Sequence, residues 1–311
     1  MKHWTWWIAL LPLALTGCAE TGEEAAGEPS ASPSAEAPAP EAAAPAAEEQ
    51  VDRLAEVLAA QPEEMQARYE WRHPEETIRL FRIEPGHTVV EALPGGGWYS
   101  KILLPYLGSD GTLIGATYED SLWPLFGFFD DEAIAERVKF PTQWPEQVAG
   151  WDIEGAASVE AYTLGTMPDY LSGTVDRVLF VRALHNLARF EGDGDYMSRA
   201  IEESMRVLKP GGLVGVVQHR APNDAPDEWA TGAAGYLKEA DVKRAFISAG
   251  FELLMESGIN RNRADQPTAE DIVWRLPPNL STSGEDPELR ASLEAIGESD
   301  RMTVVFRKPE A

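Results

Sequence analysis

Residues 88–99 read Thr-Val-Val-Glu-Ala-Leu-Pro-Gly-Gly-Gly-Trp-Tyr. A short β-branched run ends in the carboxylate of Glu91, a glycine turn follows, and the spacing predicts a helix over 99–107. Strand, glycine turn and helix let a backbone approach a ligand closely, because glycine has no Cβ atom and a helix N-terminus offers unpaired N–H groups. Taken alone, such a turn does not distinguish a ligand site from a plain turn, so the rest of the chain decides.

Apolar runs and helical spacings alternate along the chain on both sides of this turn. Strands are predicted at 88–92, 113–118, 158–162, 176–181, 213–218, 251–255 and 302–307. Helices are predicted before the first strand at 51–60, 63–71 and 75–81, and between later strands at 99–107, 196–208 and 238–249. This alternation predicts an α/β fold with a doubly wound, mostly parallel, seven-stranded sheet and N-terminal helices.

Composition excludes several classes of function. The chain has 311 residues and a formal net charge of -26, whereas phosphate binding by nucleic-acid partners needs clustered Lys and Arg. The same charge argues against a polybasic membrane-surface patch. Cysteine occurs once, which excludes an intrachain disulfide and a cysteine metal cluster. The five histidines show no metal-ligand spacing, so no metal site is expected.

The N-terminal 50 residues predict export rather than a folded domain. A positive start, an apolar run over 4–15 and a small-residue site indicate a signal peptide over 1–17. The apolar run is too short to span a bilayer as a helix. The ending Leu-Thr-Gly-Cys resembles the lipobox of bacterial lipoproteins, which implies a lipid anchor at Cys18 and location on the periplasmic face of the outer membrane. The alternative is an unlipidated secreted protein.

Residues 18–50 are nearly all Ala, Glu, Pro, Ser and Gly, so they have little to bury and are expected to form a disordered, extended tether. The folded domain is then expected to cover 51–311.

Candidate site residues follow the predicted strands, because ligands in doubly wound sheets bind at the carboxyl ends of the strands. They are Glu91 and the turn 94–99 after the first strand, Thr117, Tyr118 and Glu119 after the second, Arg182, His185 and Asn186 after the fourth, and His219 and Arg220 after the fifth.

Four groups of residues occur in an order that resembles class I S-adenosylmethionine (SAM)-dependent methyltransferases. They are 91–97, 178–186, the run Arg-Val-Leu-Lys-Pro-Gly-Gly at 206–212, and 235–237 with 249–251. The segments 94–99 and 295–302 further resemble an exported group of predicted methyltransferases. The resemblance covers roughly residues 70–310 and implies a Rossmann-like methyltransferase sheet with SAM as cofactor.

Carried over by position, the resemblance implies a set of SAM-binding residues. They are Glu91, Pro94, Gly95, Gly96, Gly97, Tyr99, Thr117, Glu119, Arg182 and Asn186. Two positions depart from the family pattern. Leu93 stands where the first glycine of the turn is usual, and Thr117 stands where an acid usually takes the ribose hydroxyls. Glu119, two residues on, is the candidate substitute.

Methyl transfer to an acceptor needs positioning more than acid–base chemistry, since the methyl group of SAM is already activated. A general base is required only when the acceptor holds a proton of high pKa. His185 and His219 are the candidate catalytic bases. The alternatives are a hydrogen-bonding pair of His185 and Asn186 at a helix start, and a rim histidine at 219.

Two long connections flank the predicted site. Residues 119–151 are rich in aromatic side chains and predict either a lid, favouring a hydrophobic or aromatic acceptor, or a subdomain with its own small core. Residues 258–300 are expected to form the opposite wall.

Three functions from different classes fit this sequence. The first is a SAM-dependent methyltransferase acting on a small acceptor. The second is a catalytically inactive, ligand-binding lipoprotein that keeps the methyltransferase fold. It is favoured by Thr117 and by export, because SAM is made in the cytoplasm. The third is a structural partner in the cell envelope. Acceptor and oligomeric state leave no signature in the sequence.

Overall fold

The computed structural model of the protein describes residues 52–310. Seven strands form one sheet in the order β3-β2-β1-β4-β5-β7-β6. They are β1 Thr88–Ala92, β2 Thr112–Thr117, β3 Ser158–Thr163, β4 Val175–Val181, β5 Leu208–His219, β6 Glu252–Ser257 and β7 Arg301–Arg307. Strands β1 to β5 pair in parallel, and β7 runs antiparallel to both β5 and β6. The predicted doubly wound, mostly parallel, seven-stranded Rossmann-like sheet is confirmed.

Strand order reverses at β1, and this reversal positions the site. The chain runs outward from β1 through β2 to β3 and then returns to place β4 on the other side of β1. Ala92 of β1 is paired with Ala116 of β2 and with Phe180 of β4. The residues that follow these three strands therefore leave the sheet side by side, at the switch point where such sheets bind ligands.

Twelve helices lie between and around the strands in the described part of the chain. They are α1 Arg53–Ala59, α2 Glu63–Gln66, α3 Tyr69–Arg72, α4 Pro74–Leu80, α5 Ser100–Leu107, α6 Asp131–Arg137, α7 Phe140–Ala149, α8 Leu184–Arg189, α9 Glu191–Gly194, α10 Tyr196–Val207, α11 Glu239–Ser248 and α12 Pro287–Ile296. Within residues 52–310, none of them is both long and apolar enough to cross a membrane.

Apolar layers cover both faces of the sheet. Consecutive residues of one strand point to opposite faces, so Val89 packs in one layer and Val90 in the other, and both are fully buried. This double burial explains why inner strands such as β2 and β7 contain consecutive apolar residues rather than an alternating pattern.

Two local predictions were wrong. The predicted helix over 63–71 is two short helices, α2 and α3. Arg68, which lies between them, makes a long-range ion pair with Glu298, so a tertiary contact overrides the helical pattern. Strand β5 begins at Leu208 rather than near 213, because 209–212 form an irregular insertion between two parallel pairings with β4.

The aromatic connection 119–151 belongs in part to the core. It contains a 3₁₀ turn, Asp120–Phe126, followed by α6 and α7. Trp144 of α7 is 2% exposed, and a Cβ atom built on Gly115 of β2 would lie 2.7 Å from its ring. Helix α7 is therefore fixed against the sheet and is not a freely closing lid. The predicted signal peptide, Cys18 and the tether lie outside the described residues.

Candidate functional site

Two cavities meet at the glycine turn after β1. The first, here the arginine cavity, has a volume of about 530 Å³, and the second, the aromatic cavity, about 480 Å³. Both volumes are typical of small-molecule sites. Leu93, Pro94 and Gly95 border both of them. The arginine cavity is lined mainly by Glu64, Arg68, Arg72, Gly96, Trp98, Lys101, Arg182, His185, His219, Trp274, Glu298 and Ser299. The aromatic cavity is lined mainly by Thr117, Tyr118, Trp123, Arg137, Phe140, Gln143 and Trp144.

Gly96 and Gly97 of the turn differ in whether packing requires a glycine. A Cβ atom at Gly97 would lie 2.2 Å from the ring of Trp151, so this glycine is required by packing. A Cβ atom at Gly96 would meet nothing within 4 Å, and its backbone is not left-handed. Gly96 has no structural need to be glycine. Its missing side chain leaves the backbone open to the arginine cavity, as a close ligand contact requires.

Two of the seven non-glycine residues with left-handed backbone in residues 52–310 lie at the same place. Leu93 has a φ of 55° and Arg182 a φ of 58°. Each such residue costs about 1–2 kcal/mol of strain, and such strain concentrates at functional sites. Leu93 directly follows β1 and Arg182 directly follows β4, so the strain flanks the switch point. The chain keeps a left-handed turn at Leu93, where the resembled family has a glycine.

Three arginines converge on one carboxylate in the wall of the arginine cavity. Arg72 Nε lies 3.0 Å and Arg301 Nη1 3.1 Å from the carboxylate oxygens of Glu298, which also pairs with Arg68. The Glu298 side chain is 4% exposed. Burial alone would raise the pKa of Glu298, but the neighbouring charges of Arg301 and Arg72 hold it below its usual value. Glu298 is therefore ionised at neutral pH.

Arg182 and Lys101 also face this cavity, and they differ from the three arginines. In residues 52–310, no ion pair or side-chain hydrogen bond reaches either of their charged groups. The Lys101 ammonium lies 5.1 Å from the centre of the Trp151 ring. Burial lowers the pKa of Arg182, partly offset by the charge of Glu298. These two cations are available to an anionic ligand.

The two predicted catalytic histidines lie together in the arginine cavity. Their ring centres are 5.7 Å apart. His219 Nδ1 lies 2.5 Å from Ser299 Oγ, whereas the buried Nδ1 of His185 has no partner among the described residues. Burial lowers the pKa of His185 to about 4 and moves that of His219 well below its usual value. Both rings are neutral at pH 7 and are weak bases.

Glu91 and Tyr99 lie behind the glycine turn rather than in a cavity wall. Ser100 Oγ donates to a carboxylate oxygen of Glu91 at 2.6 Å, and burial raises the pKa of Glu91 to about 7. Tyr99 is 5% exposed, and its hydroxyl lies 3.4 Å from the carbonyl oxygen of Arg72. Both residues are therefore buried behind the turn and do not line either cavity.

The residues predicted to bind the ribose of SAM lie apart from one another in the structure. Thr117 is buried and lines the aromatic cavity. The Glu119 carboxylate is 2.8 Å from the guanidinium of Arg199, and Glu119 is not among the residues lining either cavity. Asn186 Nδ2 donates to the Tyr118 hydroxyl at 2.9 Å. Glu119 pairs with Arg199, and its role as a substitute for the missing acid stays a prediction.

Several site residues were missed at the sequence level. They are Arg68, Arg72 and Lys101. The connection 258–300, expected as the opposite wall, does contribute Trp274, Glu298 and Ser299 to the arginine cavity, although Glu298 and Ser299 were not singled out. The segment 295–302, noted above for its resemblance to an exported group of predicted methyltransferases, contains Glu298 and Ser299. Arg68 and Arg72 belong to the N-terminal helical segment. Its sequence pattern gave no reason to place it at the carboxyl ends of the strands. Within 52–310, no group of three or more His, Cys, Asp or Glu residues is placed to hold a metal ion.

No protein-family model matches this sequence, and no curated protein matches it either. In structure the chain is similar to a SAM-dependent methyltransferase from Aquifex aeolicus, at 14% identity over 79% of this chain and 98% of that one, with a TM-score of 0.46. It is also similar to a geranyl diphosphate C-methyltransferase from Streptomyces coelicolor, at 13% identity over 84% and 85% of the chains, with a TM-score of 0.48.

A third similar structure is the cyclase SpnF, at 17% identity over 77% of this chain and 81% of that one, with a TM-score of 0.47. Methyltransferases and a cyclase thus stand side by side among the similar structures. At this level of identity a likeness of fold does not specify a reaction, which has to be argued from the site.

Proposed function

We propose that this protein is a SAM-dependent methyltransferase acting on a small acceptor. The observation that carries the proposal is the glycine turn at the switch point, open at Gly96 and shared by two cavities. Pro94, Gly95 and Gly96 would hold the methionine part of SAM. Thr117, Tyr118 and Trp123, on the aromatic side of the turn, would hold its adenosine part.

Bound SAM would supply an activated methyl group, and this chain would supply position and exclusion of water. The ring of His185 lines the arginine cavity and would contact a substrate there, while its Nδ1 is enclosed by protein. With a pKa of about 4, His185 is too weak a base to remove a proton of high pKa. The site therefore suits an acceptor that needs little help in losing a proton.

The second candidate function is ligand binding without catalysis. One observation favours it: the acid that usually binds the ribose is absent at Thr117, and Glu119 is paired with Arg199. A binding module would hold the demethylated product, S-adenosylhomocysteine, as well as SAM, and would show no turnover with any acceptor.

Substituting Gly96 with alanine tests the cofactor site without disturbing the fold. The added methyl group meets no protein atom, so the stability of Gly96→Ala should match that of the wild type. Gly96 lines the arginine cavity at the proposed SAM site, so we expect the added methyl group to lower SAM affinity at least about tenfold, roughly 1.4 kcal/mol. Isothermal titration of the full-length protein with SAM and with S-adenosylhomocysteine measures this.

Gly192→Ala is the matched control, because Gly192 is also open to space and is not left-handed. It should leave SAM affinity unchanged. If neither ligand binds the wild type at millimolar concentration, both candidate functions fail at this site.

We also propose export and lipid anchoring, with 1–17 as signal peptide, Cys18 as the lipidated residue and the outer membrane's periplasmic face as the location. The support is the sequence of the segment, in which the chain's single cysteine follows Leu-Thr-Gly.

Cys18→Ala should move most of the protein from the membrane fraction to the soluble fraction, as judged by fractionation and immunoblotting. Ser34→Ala, in the same tether, should stay in the membrane fraction. Unchanged membrane retention of Cys18→Ala would refute the anchor.

A further inference from the structure

We infer that the methyl acceptor is an anion, and that the arginine cavity binds its carboxylate or phosphate group through Arg182 or Lys101. The inference rests on the proposed function, because it assigns the chemical class of the acceptor at the same site. It is carried by the charges of the cavity wall and by the polar groups left without partners there.

The residues lining the arginine cavity have a positive net charge, whereas the whole chain has a negative one. The whole protein has 52 acidic residues against 26 Lys and Arg. The cavity is instead lined by four cations, Arg68, Arg72, Lys101 and Arg182, against two carboxylates, Glu64 and Glu298. A fifth cation, Arg301, is buried behind the wall and bonded to Glu298. A cavity whose lining cations outnumber its carboxylates attracts a small anion, even in an acidic protein.

The internal ion pairs do not use up this positive charge. Arg68, Arg72 and Arg301 share the single carboxylate of Glu298. Arg182 and Lys101 have no carboxylate partner within the described residues. Charges held in partly buried positions without a counter-charge are costly, and an oxyanion in the cavity would offset that cost. Arginine presents a fork of N–H donors that suits carboxylate and phosphate oxygens.

SAM by itself does not supply the missing negative charge. It carries one carboxylate, one ammonium and one sulfonium group, so it is a cation overall. Its carboxylate would satisfy one of the two unpaired cations, while its two positive groups would add to the excess. The remaining cation still lacks a partner, and the three arginines at Glu298 carry more positive charge than its single carboxylate balances. A second anionic group is needed, and the acceptor is the other molecule that the reaction brings to this cavity.

Charge therefore couples the two ligands. An oxyanion bound at Arg182 or Lys101 lowers the repulsion that SAM meets, so each ligand should strengthen the binding of the other. The coupling should be weaker for S-adenosylhomocysteine, which has lost the sulfonium charge. An apolar or cationic acceptor would give no such coupling.

Binding of inorganic phosphate and of succinate to the full-length protein tests the inference, with chloride at matched ionic strength as reference. The fluorescence of Trp98 and Trp274 in the cavity wall reports binding without turnover. We expect saturable binding of at least one of the two anions, and the tighter of them identifies a phosphate or a carboxylate. The bound anion should tighten SAM binding at least about tenfold, and S-adenosylhomocysteine binding less.

Arg182→Gln should weaken anion binding at least about tenfold. Lys101→Gln, at a partly buried position, is the second variant in case Arg182→Gln does not fold. Arg244→Gln removes an exposed charge outside the cavity and should change nothing. Failure of both anions to bind saturably, or equal binding by both cavity variants and the wild type, would overturn the inference.

The outcomes separate this inference from the proposed function. SAM binding that is unaffected by either anion would leave the methyltransferase proposal standing and remove the anionic acceptor. Anion binding at Arg182 in a protein that binds neither SAM nor S-adenosylhomocysteine would remove the methyltransferase proposal, and the anionic acceptor with it.

Discussion

Glu298→Gln is expected to lower the free energy of unfolding by about 3–5 kcal/mol, the usual cost of removing one partner from a buried ion pair. The substitution keeps the size of the side chain but leaves Arg68, Arg72 and Arg301 facing one another without a counter-charge. Arg72 and Arg301 are about 3% exposed, so water screens their charges poorly. Urea unfolding of the two proteins at pH 7 measures the difference.

Glu294→Gln is the matched control, since it makes the same change four residues earlier in the sequence. Its carboxylate pairs with Arg290 at the surface, where both side chains are half exposed. We expect a change of less than about 1 kcal/mol there. Added phosphate should stabilise Glu298→Gln more than the wild type, because it substitutes for the lost charge. A Glu298→Gln protein within 1 kcal/mol of the wild type would mean that the arginines are hydrated.

The fold was predictable because its evidence is local. Each strand is a short apolar run bounded by turn residues, and the switch point follows from strand and helix alternation. Val89 and Val90 are consecutive apolar residues in the sequence, and this predicts that both faces of the strand are buried. What failed locally was the single helix over 63–71, where Arg68 turns toward a partner that lies 230 residues away.

The site was predictable where it follows the sheet and, more coarsely, where the connection 258–300 was expected to form its opposite wall. His185 and His219 were expected together because both follow strands, and the structure brings their rings to 5.7 Å between centres. Arg72 and Glu298 reach the same cavity from short N-terminal helices and from the end of a long connection. Neither element has a periodicity that specifies where it packs. Their meeting depends on tertiary contacts that sequence spacing does not encode.

Glu119 illustrates a second limit. Its position, two residues after the usual acid, suggested that it replaces that acid. The structure turns its carboxylate toward Arg199 on α10, at 2.8 Å. Distance along the chain gives the reach of a side chain but not the direction it takes after the strand ends, where the backbone is no longer constrained by the sheet.

Glu91→Gln is expected to stabilise the protein at pH 8 and to have little effect at pH 4.5. Burial raises the pKa of Glu91 from its ordinary 4.5 to about 7. Between these values the folded protein keeps a proton that the unfolded chain has released. Its contribution to stability is complete below pH 4.5 and is lost as the pH rises through 7. Glutamine does not ionise and escapes this loss.

At about 1.4 kcal/mol per pKa unit, the stability of Glu91→Gln relative to the wild type should rise by about 3 kcal/mol between pH 4.5 and 8. Unfolding in urea at several pH values measures it. The wild-type profile alone does not isolate this effect, because the lowered pKa of His185 adds stability as the pH rises from about 4 toward 6.5. That opposing contribution is the same in both proteins and cancels in the difference.

Glu132→Gln, exposed on α6, should change stability by a similar amount at every pH and serves as the control. A difference between Glu91→Gln and the wild type that stays constant from pH 4.5 to 8 would mean that the Glu91 carboxyl reaches water.

A positively charged ligand against the turn would favour the ionised carboxyl. Binding of SAM should therefore tighten with pH between 5 and 8 in the wild type and lose that dependence in Glu91→Gln, which links the buried acid to the cofactor.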